Sequence, residues 1–579
     1  MKRSTVFTVG LRFFEKRKAA LAVALAAVLL VGCGSSGGGS KGNGKDDVVS
    51  VKNDYALSYD DAVEEVRTLA DAVKPATLTP QLDLDAEDLA SDAALADIDT
   101  FEMPVKGDGD INIEIAAATE LSSSAPDDWL NIVAQNFNKS GQTVNDKRVS
   151  VSIRKMASGE VLTYMVDGGY RPQAFIPSNF AWGKMLDASG INTIEICKRI
   201  AGNTAGILMS DEIYDTYTEK YGDVTVSGVL EAAIAGDLVF AYTNPYTSST
   251  GLNILTAMLY AFDSDNPLSQ MATQKLIEYQ QNAPTAAYTT GVLRNSAKKG
   301  IIDAMVMEEQ AYINTPELKS YVYAPAGIRH DHPVYTFDYV SDEEQEAARA
   351  FADYCLTDEN QKLAADRGFN RHEDYEGQDT GLDGAGYLAA QDVWKTNKNG
   401  GRPIIAVFVT DISGSMNGLP LNTLKESLIA SAKYIGSDNY VGLVSYSDDV
   451  FINLPIDKFG NKQRAYFSGA VKGLNANGST ATYDATVVGL KMLLDKAEEV
   501  PDASMMLFVL SDGEQNAGYK FARIKPIVAG LQIPVYCIGY NMSETEELKE
   551  LSEINEATLI NADSDDIVNQ LRNLFNVNM

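Results

Sequence analysis

Residues 410–418 read TDISGSMNG and follow the apolar run PIIAVFV (403–409). Asp411, Ser413 and Ser415 stand there at alternating positions. None is a strong base or nucleophile alone, but all three are hard oxygen ligands. Farther on, MMLFVL (505–510) runs into Ser511-Asp512-Gly513, and NGSTATYDA (477–485) offers Thr480 ahead of a helical pattern. The set is two carboxylates and three hydroxyls, with no imidazole or thiolate nearby in sequence. All-oxygen sets select Mg²⁺, Mn²⁺ or Ca²⁺ over zinc or copper. Five such groups leave an octahedral ion an open position that a carboxylate from outside can fill. Hydroxyl ligands neutralise no charge, so the ion stays positive toward that group.

These residues must be positioned by strands and helices. Apolar runs predict strands at 404–410, 440–446, 504–510, 534–539 and 557–561. Helical spacing predicts helices near 421–435, 483–497, 544–554 and 564–576. VFINL (450–454) directly follows the second strand and reads as an antiparallel edge strand. This alternation is a doubly wound, Rossmann-like α/β sheet, with its ligand site at the carboxyl ends of the central strands. Loops 411–415, 478–481 and 511–513 then meet at one rim. The same residues also suit plain turns and helix caps.

DxSGS, a downstream threonine in a GxT loop and a distal SDG together resemble the von Willebrand factor A domain, over residues 402–579. The resemblance implies a metal-ion-dependent adhesion site with Asp411, Ser413, Ser415, Thr480 and Asp512 as ligands. It also implies Mg²⁺ as the ion and an acidic group of a protein or matrix ligand as the partner. Gly478-Ser479-Thr480 stands where GGT is more usual, which leaves the threonine in place.

Residues 107–370 have their own alternation. INIEIAAATE and RVSVSI read as strands and PDDWLNIVAQNF as a helix, and the rhythm continues through QAFIPS, DLVFAYTNP, GLNILTAMLYAF, IDAMVM and VYAPAG. This predicts a two-lobed α/β body with a mostly parallel sheet. Ser122 and Ser123 follow a strand, Ser178 and Asn179 lie in FIPSNF, and Thr247, Ser248, Ser249 and Thr250 open a helix. Free amides at a helix start plus short hydroxyls form a neutral anion cradle. The order of elements resembles two-lobed bacterial extracellular solute-binding proteins of the molybdate- or sulfate-receptor kind, a type 2 periplasmic-binding-protein-like fold. The alternative function is therefore an ABC-type transport receptor, holding a small anion or other solute in its cleft. As caps, the same hydroxyls bind nothing. Of the three histidines, His330, His332 and His372, the alternating pair in HDH (330–332) could hold a metal but reads rather as plain loop residues. HExxH and Walker motifs are absent, so the expectation is a binding protein and not an enzyme.

The chain has 579 residues, enough for two or three cores, and a formal net charge of −32, which disfavours nucleic-acid binding. Residues 1–32 place basic side chains before an apolar run at 19–31, the layout of a signal peptide. Leu30-Val31-Gly32-Cys33 resembles a bacterial lipobox, which implies a lipidated Cys33 on the extracytoplasmic face of the cell membrane. Residues 33–106 read as that cysteine, a Gly/Ser tether and an acidic spacer, with one short helix at 58–73. Residues 371–401 read as a junction. Cys197, Cys355 and Cys537 form no CxxC and read as small buried hydrophobes.

Overall fold

The computed structural model describes residues 56–83, 95, 97–282, 293, 302–513, 515–540, 546–555, 557, 559–562, 571, 574–575 and 579. The expected signal peptide, Cys33, the tether, residues 84–94 and most of the predicted helix 564–576 lie outside the described residues. No described helix is long and apolar enough to cross a membrane. Cys197, Cys355 and Cys537 are free thiols, the last two buried.

The carboxyl-terminal domain is a seven-stranded sheet. Its spatial order is β1 (Ala76–Thr77), β14 (Val450–Lys458), β13 (Tyr440–Tyr446), β12 (Ile404–Asp411), β15 (Ser504–Ser511), β16 (Val535–Tyr540) and β17 (Leu559–Ala562). β13, β12, β15, β16 and β17 run parallel, and β14 pairs antiparallel with β13. Both faces of β12 are buried: Ile404, Ala406 and Phe408 enter one core layer, and Ile405, Val407 and Val409 the other. A strand covered on both sides needs a continuous apolar run, which is what 403–409 supplies.

β14 is not an edge. Ala76 and Thr77 pair in parallel with Phe451 and Ile452. Just before them the helix Tyr59–Val73 packs on the helices Thr482–Glu499 and Phe521–Leu531. Ala62, Val66, Leu69 and Ala70 repeat on one face and join that core layer. A fully buried Val or Leu is worth about 1.5–3 kcal/mol, so this contact is structural rather than incidental. Residues 56–83, expected within a spacer, are therefore part of the carboxyl-terminal domain, and the middle domain is inserted into it.

The middle domain has two lobes. In the first, β3 (Thr143–Val144), β4 (Lys147–Lys155), β2 (Ile111–Ala117), β5 (Ala174–Ile176), β11 (Val334–Phe337) and β6 (Thr193–Cys197) lie in that order. In the second the order is β10 (Tyr321–Arg329), β7 (Thr204–Ser210), β9 (Ala304–Glu308) and β8 (Phe240–Ala241). The sheets are mixed rather than mostly parallel. The chain passes between lobes at 198–203 and returns at 330–333, so β7 and β11 enter their sheets running against their neighbours. The two crossovers are bonded together: His330 N donates to Asn203 O (3.0 Å) and Ile200 N to His332 O (3.3 Å).

Within the expected junction, Gly384–Asn397 is a helix capped by Asp383, whose Oδ1 accepts from Gly386 N at 2.8 Å. It packs on Ala181–Ala188, Ser249–Phe262 and Gln270–Asn282, burying Tyr387, Ala390 and Trp394. At its far end Lys395 Nζ donates to Tyr434 O of the carboxyl-terminal domain (3.0 Å).

Candidate metal centre and solute cleft

Asp411 ends β12 fully buried, and its backbone register puts Tyr446 of β13 beside it. Ser413 N donates to Asp411 Oδ1 (2.8 Å), closing the loop back on the strand end. Ser413 Oγ and Ser415 Oγ lie 3.0 Å apart, and Ser415 Oγ donates to Asp512 Oδ1 (2.9 Å) in the loop after β15. The structure thus brings Asp411, Ser413, Ser415 and Asp512 into one connected set, graded from buried Asp411 to exposed Ser415. Asp411 Oδ2 accepts from Ser511 Oγ (2.8 Å) and Tyr446 OH (3.3 Å).

The third loop is laced to the first by its backbone. Asn477 N donates to Ile412 O (2.8 Å) and Gly414 N to Gly478 O (3.0 Å). Gly478 has φ +75°, and a Cβ there would strike the Asp448 carboxylate, so only glycine fits without adjustment. Thr480, buried at the same rim, is tied by its backbone: its N donates to Asn516 Oδ1 (2.8 Å), and its carbonyl accepts from Asn516 N (3.1 Å).

Burial raises the Asp411 carboxyl above the usual aspartate value, against the hydrogen bonds from Ser413 and Ser511, and the Asp512 charge adds to the rise. Burial raises Asp512 too. Among the described residues no group of three or more His, Cys, Asp or Glu is placed to hold a metal. What the rim offers is two carboxylates with neutral hydroxyls, a donor set that fits a hard dication and not a thiophilic one. Sequence reasoning missed Ser511, Tyr446 and Asn516. The first adjoins Asp512, and the second was open to inference from the parallel β12–β13 register.

The middle domain holds a cleft of about 370 Å³ between its lobes, at the carboxyl ends of β2, β4, β5, β8 and β9. Ser123, Ser178, Thr247, Ser248, Ser249 and Thr250 line it. Ser248 Oγ caps the helix Ser249–Phe262 by accepting from Gly251 N (3.2 Å), and Ser249 Oγ accepts from Trp182 Nε1 (2.8 Å). Ser122 turns away, donating to Ala118 O (2.9 Å). Asn179 lies buried beside the hinge, its Nδ2 3.2 Å from His330 Nε2.

His330 and His332 lie in the connection between β10 and β11, as expected of loop residues, and both are fully buried there. His330 Nδ1 lies 2.6 Å from Glu308 Oε1, and His332 Nε2 lies 3.2 Å from Glu120 Oε1. Burial lowers His330 to about 4. Burial, and then the Glu120 charge, raise Glu308 well above the glutamate range. Burial alone would raise Glu120, but its hydrogen bond and charge interaction with His332 hold it low. Burial alone would lower His332, and Glu120 raises it. The Glu120–His332 contact thus favours the charged form of both partners, whereas burial favours the neutral forms of His330 and Glu308. His332 also sits at φ +47°, a left-handed conformation uncommon outside glycine.

Residues 406–575 match the von Willebrand factor type A domain family, and residues 119–370 match the bacterial extracellular solute-binding protein family. The chain is a solute-binding-protein-like domain followed by a von Willebrand factor A (VWA) domain. Inter-alpha-trypsin inhibitor heavy chain H3 of Bos taurus is 30% identical over 153 residues, covering 24% of this chain and 17% of that protein. The chain therefore spans about a sixth of the length of that relative. A von Willebrand factor type A structure from Catenulispora acidiphila is 19% identical, covering 30% of this chain and 42% of that one, with a TM-score of 0.27. The periplasmic molybdate-binding protein of Azotobacter vinelandii is 16% identical, covering 44% and 98%, with a TM-score of 0.28. The rim described above is the carboxyl end of the VWA sheet, and the cleft divides the two lobes of the solute-binding domain.

Proposed function

We propose that this chain is a non-enzymatic binding protein. Its VWA rim engages a carboxylate of a protein or matrix partner, and lipidated Cys33 holds it on the extracytoplasmic face of a bacterial membrane. The observation that carries the reading is the Ser413–Ser415–Asp512 chain meeting buried Asp411 at one rim. A divalent cation, magnesium by preference over manganese or calcium, would be held by Asp411, Ser413, Ser415, Thr480 and Asp512 and would offer the partner's carboxylate a positive docking point. Ser511 and Tyr446 fix the outer oxygen of Asp411, so the carboxylate is oriented before any ion arrives. Leu419, 70% exposed just beyond the Ser415 loop, gives the same face an apolar contact.

The test is binding of the full chain to an immobilised glutamate-rich peptide. Binding that requires Mg²⁺, and is lost on chelation and in Ser415→Ala, is the expected result. Retention in the presence of a chelator contradicts it.

A second reading is favoured by the position of the cleft between the lobes, at the carboxyl ends of strands: the solute-binding domain captures a small molecule, as a receptor for a membrane permease.

A further inference from the structure

We infer that the cleft takes a small organic cation, an ammonium or amidinium on a polar body, and not an oxyanion. This rests on the second reading above, solute capture by the cleft.

Four carboxylates line the cleft, Glu120, Asp127, Glu160 and Glu308, and no lysine or arginine does. An oxyanion would face them with hydroxyls and the starts of the helices Ser158–Val166 and Ser249–Phe262 in its favour. A protonated amine meets acceptors instead.

An independent feature points the same way. Gln310 lines the cleft and is fully buried. Its Nε2 donates to Asp127 Oδ1 (2.6 Å), which fixes the orientation of the amide, and its Oε1 has no hydrogen-bond partner. A buried acceptor without a donor is rare because it loses water's hydrogen bond for nothing. A ligand N–H completes it.

Glu308 is prepared for a cation as well. Asn179 Oδ1 accepts from Ala181 N (3.1 Å), so Asn179 presents its NH₂ to His330 Nε2. That nitrogen must therefore accept, and the imidazole proton sits on Nδ1, directed at Glu308 Oε1. The histidine steadies a carboxylate whose ionisation burial disfavours. A cation beside Glu308 would replace that proton with an ionic contact.

The cation is organic rather than metallic on the geometry of the side chains. No three His, Cys, Asp or Glu among the described residues are grouped to hold a metal, and His332 already bonds Ala201 O and Glu120. About 370 Å³ accommodates a small solute, whose remaining polar groups meet the hydroxyls of Thr247 and Thr250.

Trp129 and Trp182 lie in the solute-binding domain, and Trp394 on the helix Gly384–Asn397 packs into the core of its second lobe, so tryptophan fluorescence in the full chain reports this domain and not the VWA rim. The experiment titrates biogenic amines (putrescine, agmatine, spermidine) against sulfate, molybdate, glucose and Zn²⁺. A saturable change with an amine is expected, weakened about tenfold or more in Glu308→Gln, the loss of one charge-assisted hydrogen bond. Gln310→Met is the second variant, should Glu308→Gln fail to fold, and it also weakens binding. Saturation by sulfate or molybdate overturns the cationic class but leaves solute capture standing. A response to Zn²⁺ alone overturns the organic class, and unchanged amine affinity in both variants overturns the assignment of these residues. No response to any probe overturns solute capture itself, and the inference with it.

Discussion

The VWA rim and the solute cleft are both built at the carboxyl ends of strands, and both hold carboxylates out of water. They differ in what faces those carboxylates. At the rim Asp411 and Asp512 are met by neutral hydroxyls, which add no positive charge, and the set opens to solvent through Ser415. In the cleft Glu120 is matched by buried His332, whose charged form it favours, and Glu308 shares its surroundings with His330, which burial keeps neutral. The rim offers oxygen donors of the kind a hard dication prefers. The cleft has already balanced one of its charges internally and leaves a protonatable carboxylate and an unpaired amide oxygen for a ligand.

The sharpest way to break this comparison is to exchange the probes. Asp512→Ala is expected to cut Mg²⁺ affinity by more than about 100-fold, since even outer partners of metal ligands cost 10–100-fold. Calorimetry measures that loss, while the amine-dependent tryptophan signal stays unchanged. A linked change at both sites would show that they are not separate.

Next in size is the packing that supports the rim. Leu69→Ala is expected to destabilise the VWA domain by about 2 kcal/mol in chemical denaturation, because the helix Tyr59–Val73 is part of that core. An unchanged transition would return residues 56–83 to the role of a spacer.

The pH dependence of amine binding is smaller. Glu308 is raised by burial and by Glu120, with Asp127 also facing it and His332 opposing. Amine binding favours its ionised form, so affinity rises with pH, by up to about tenfold per unit while Glu308 keeps its proton, and flattens above. Loss of the His332 charge at higher pH acts in the same direction. Fluorescence titrations at stepped pH read the slope, and a falling affinity contradicts the assignment. The smallest effect is Tyr446→Phe. It removes one long hydrogen bond to Asp411 and is expected to weaken Mg²⁺ several-fold, about 1 kcal/mol.

The two sites also differ in how far they were legible. The rim could be read because Asp411, Ser413, Ser415 and Asp512 stand at or just after the ends of strands whose apolar runs are themselves diagnostic, Thr480 precedes a helix, and parallel register brings the strand ends together. The cleft could not. His332 and Glu120 stand 212 positions apart and His330 and Glu308 stand 22 apart, so no local spacing reveals either pair. Their burial follows from the crossovers between lobes, which periodicity does not encode. The same limit hid Ala76–Thr77, a two-residue strand with no pattern of its own, and the partnership of the helix Gly384–Asn397 with the second lobe. Hydroxyls such as Ser123 and Thr247 were recognisable as polar, but the carboxylates that share their cleft, Glu120 and Glu308 among them, were not recognised with them.

The central claim is that Asp411, Ser413, Ser415, Thr480 and Asp512 hold a divalent cation at the VWA rim. Isothermal titration of Mg²⁺ into the full chain, wild type against Asp411→Ala, tests it most directly. The account predicts one ion bound per chain in the wild type and no binding in the variant. Absence of heat in the wild type, or the same isotherm in both proteins, contradicts it.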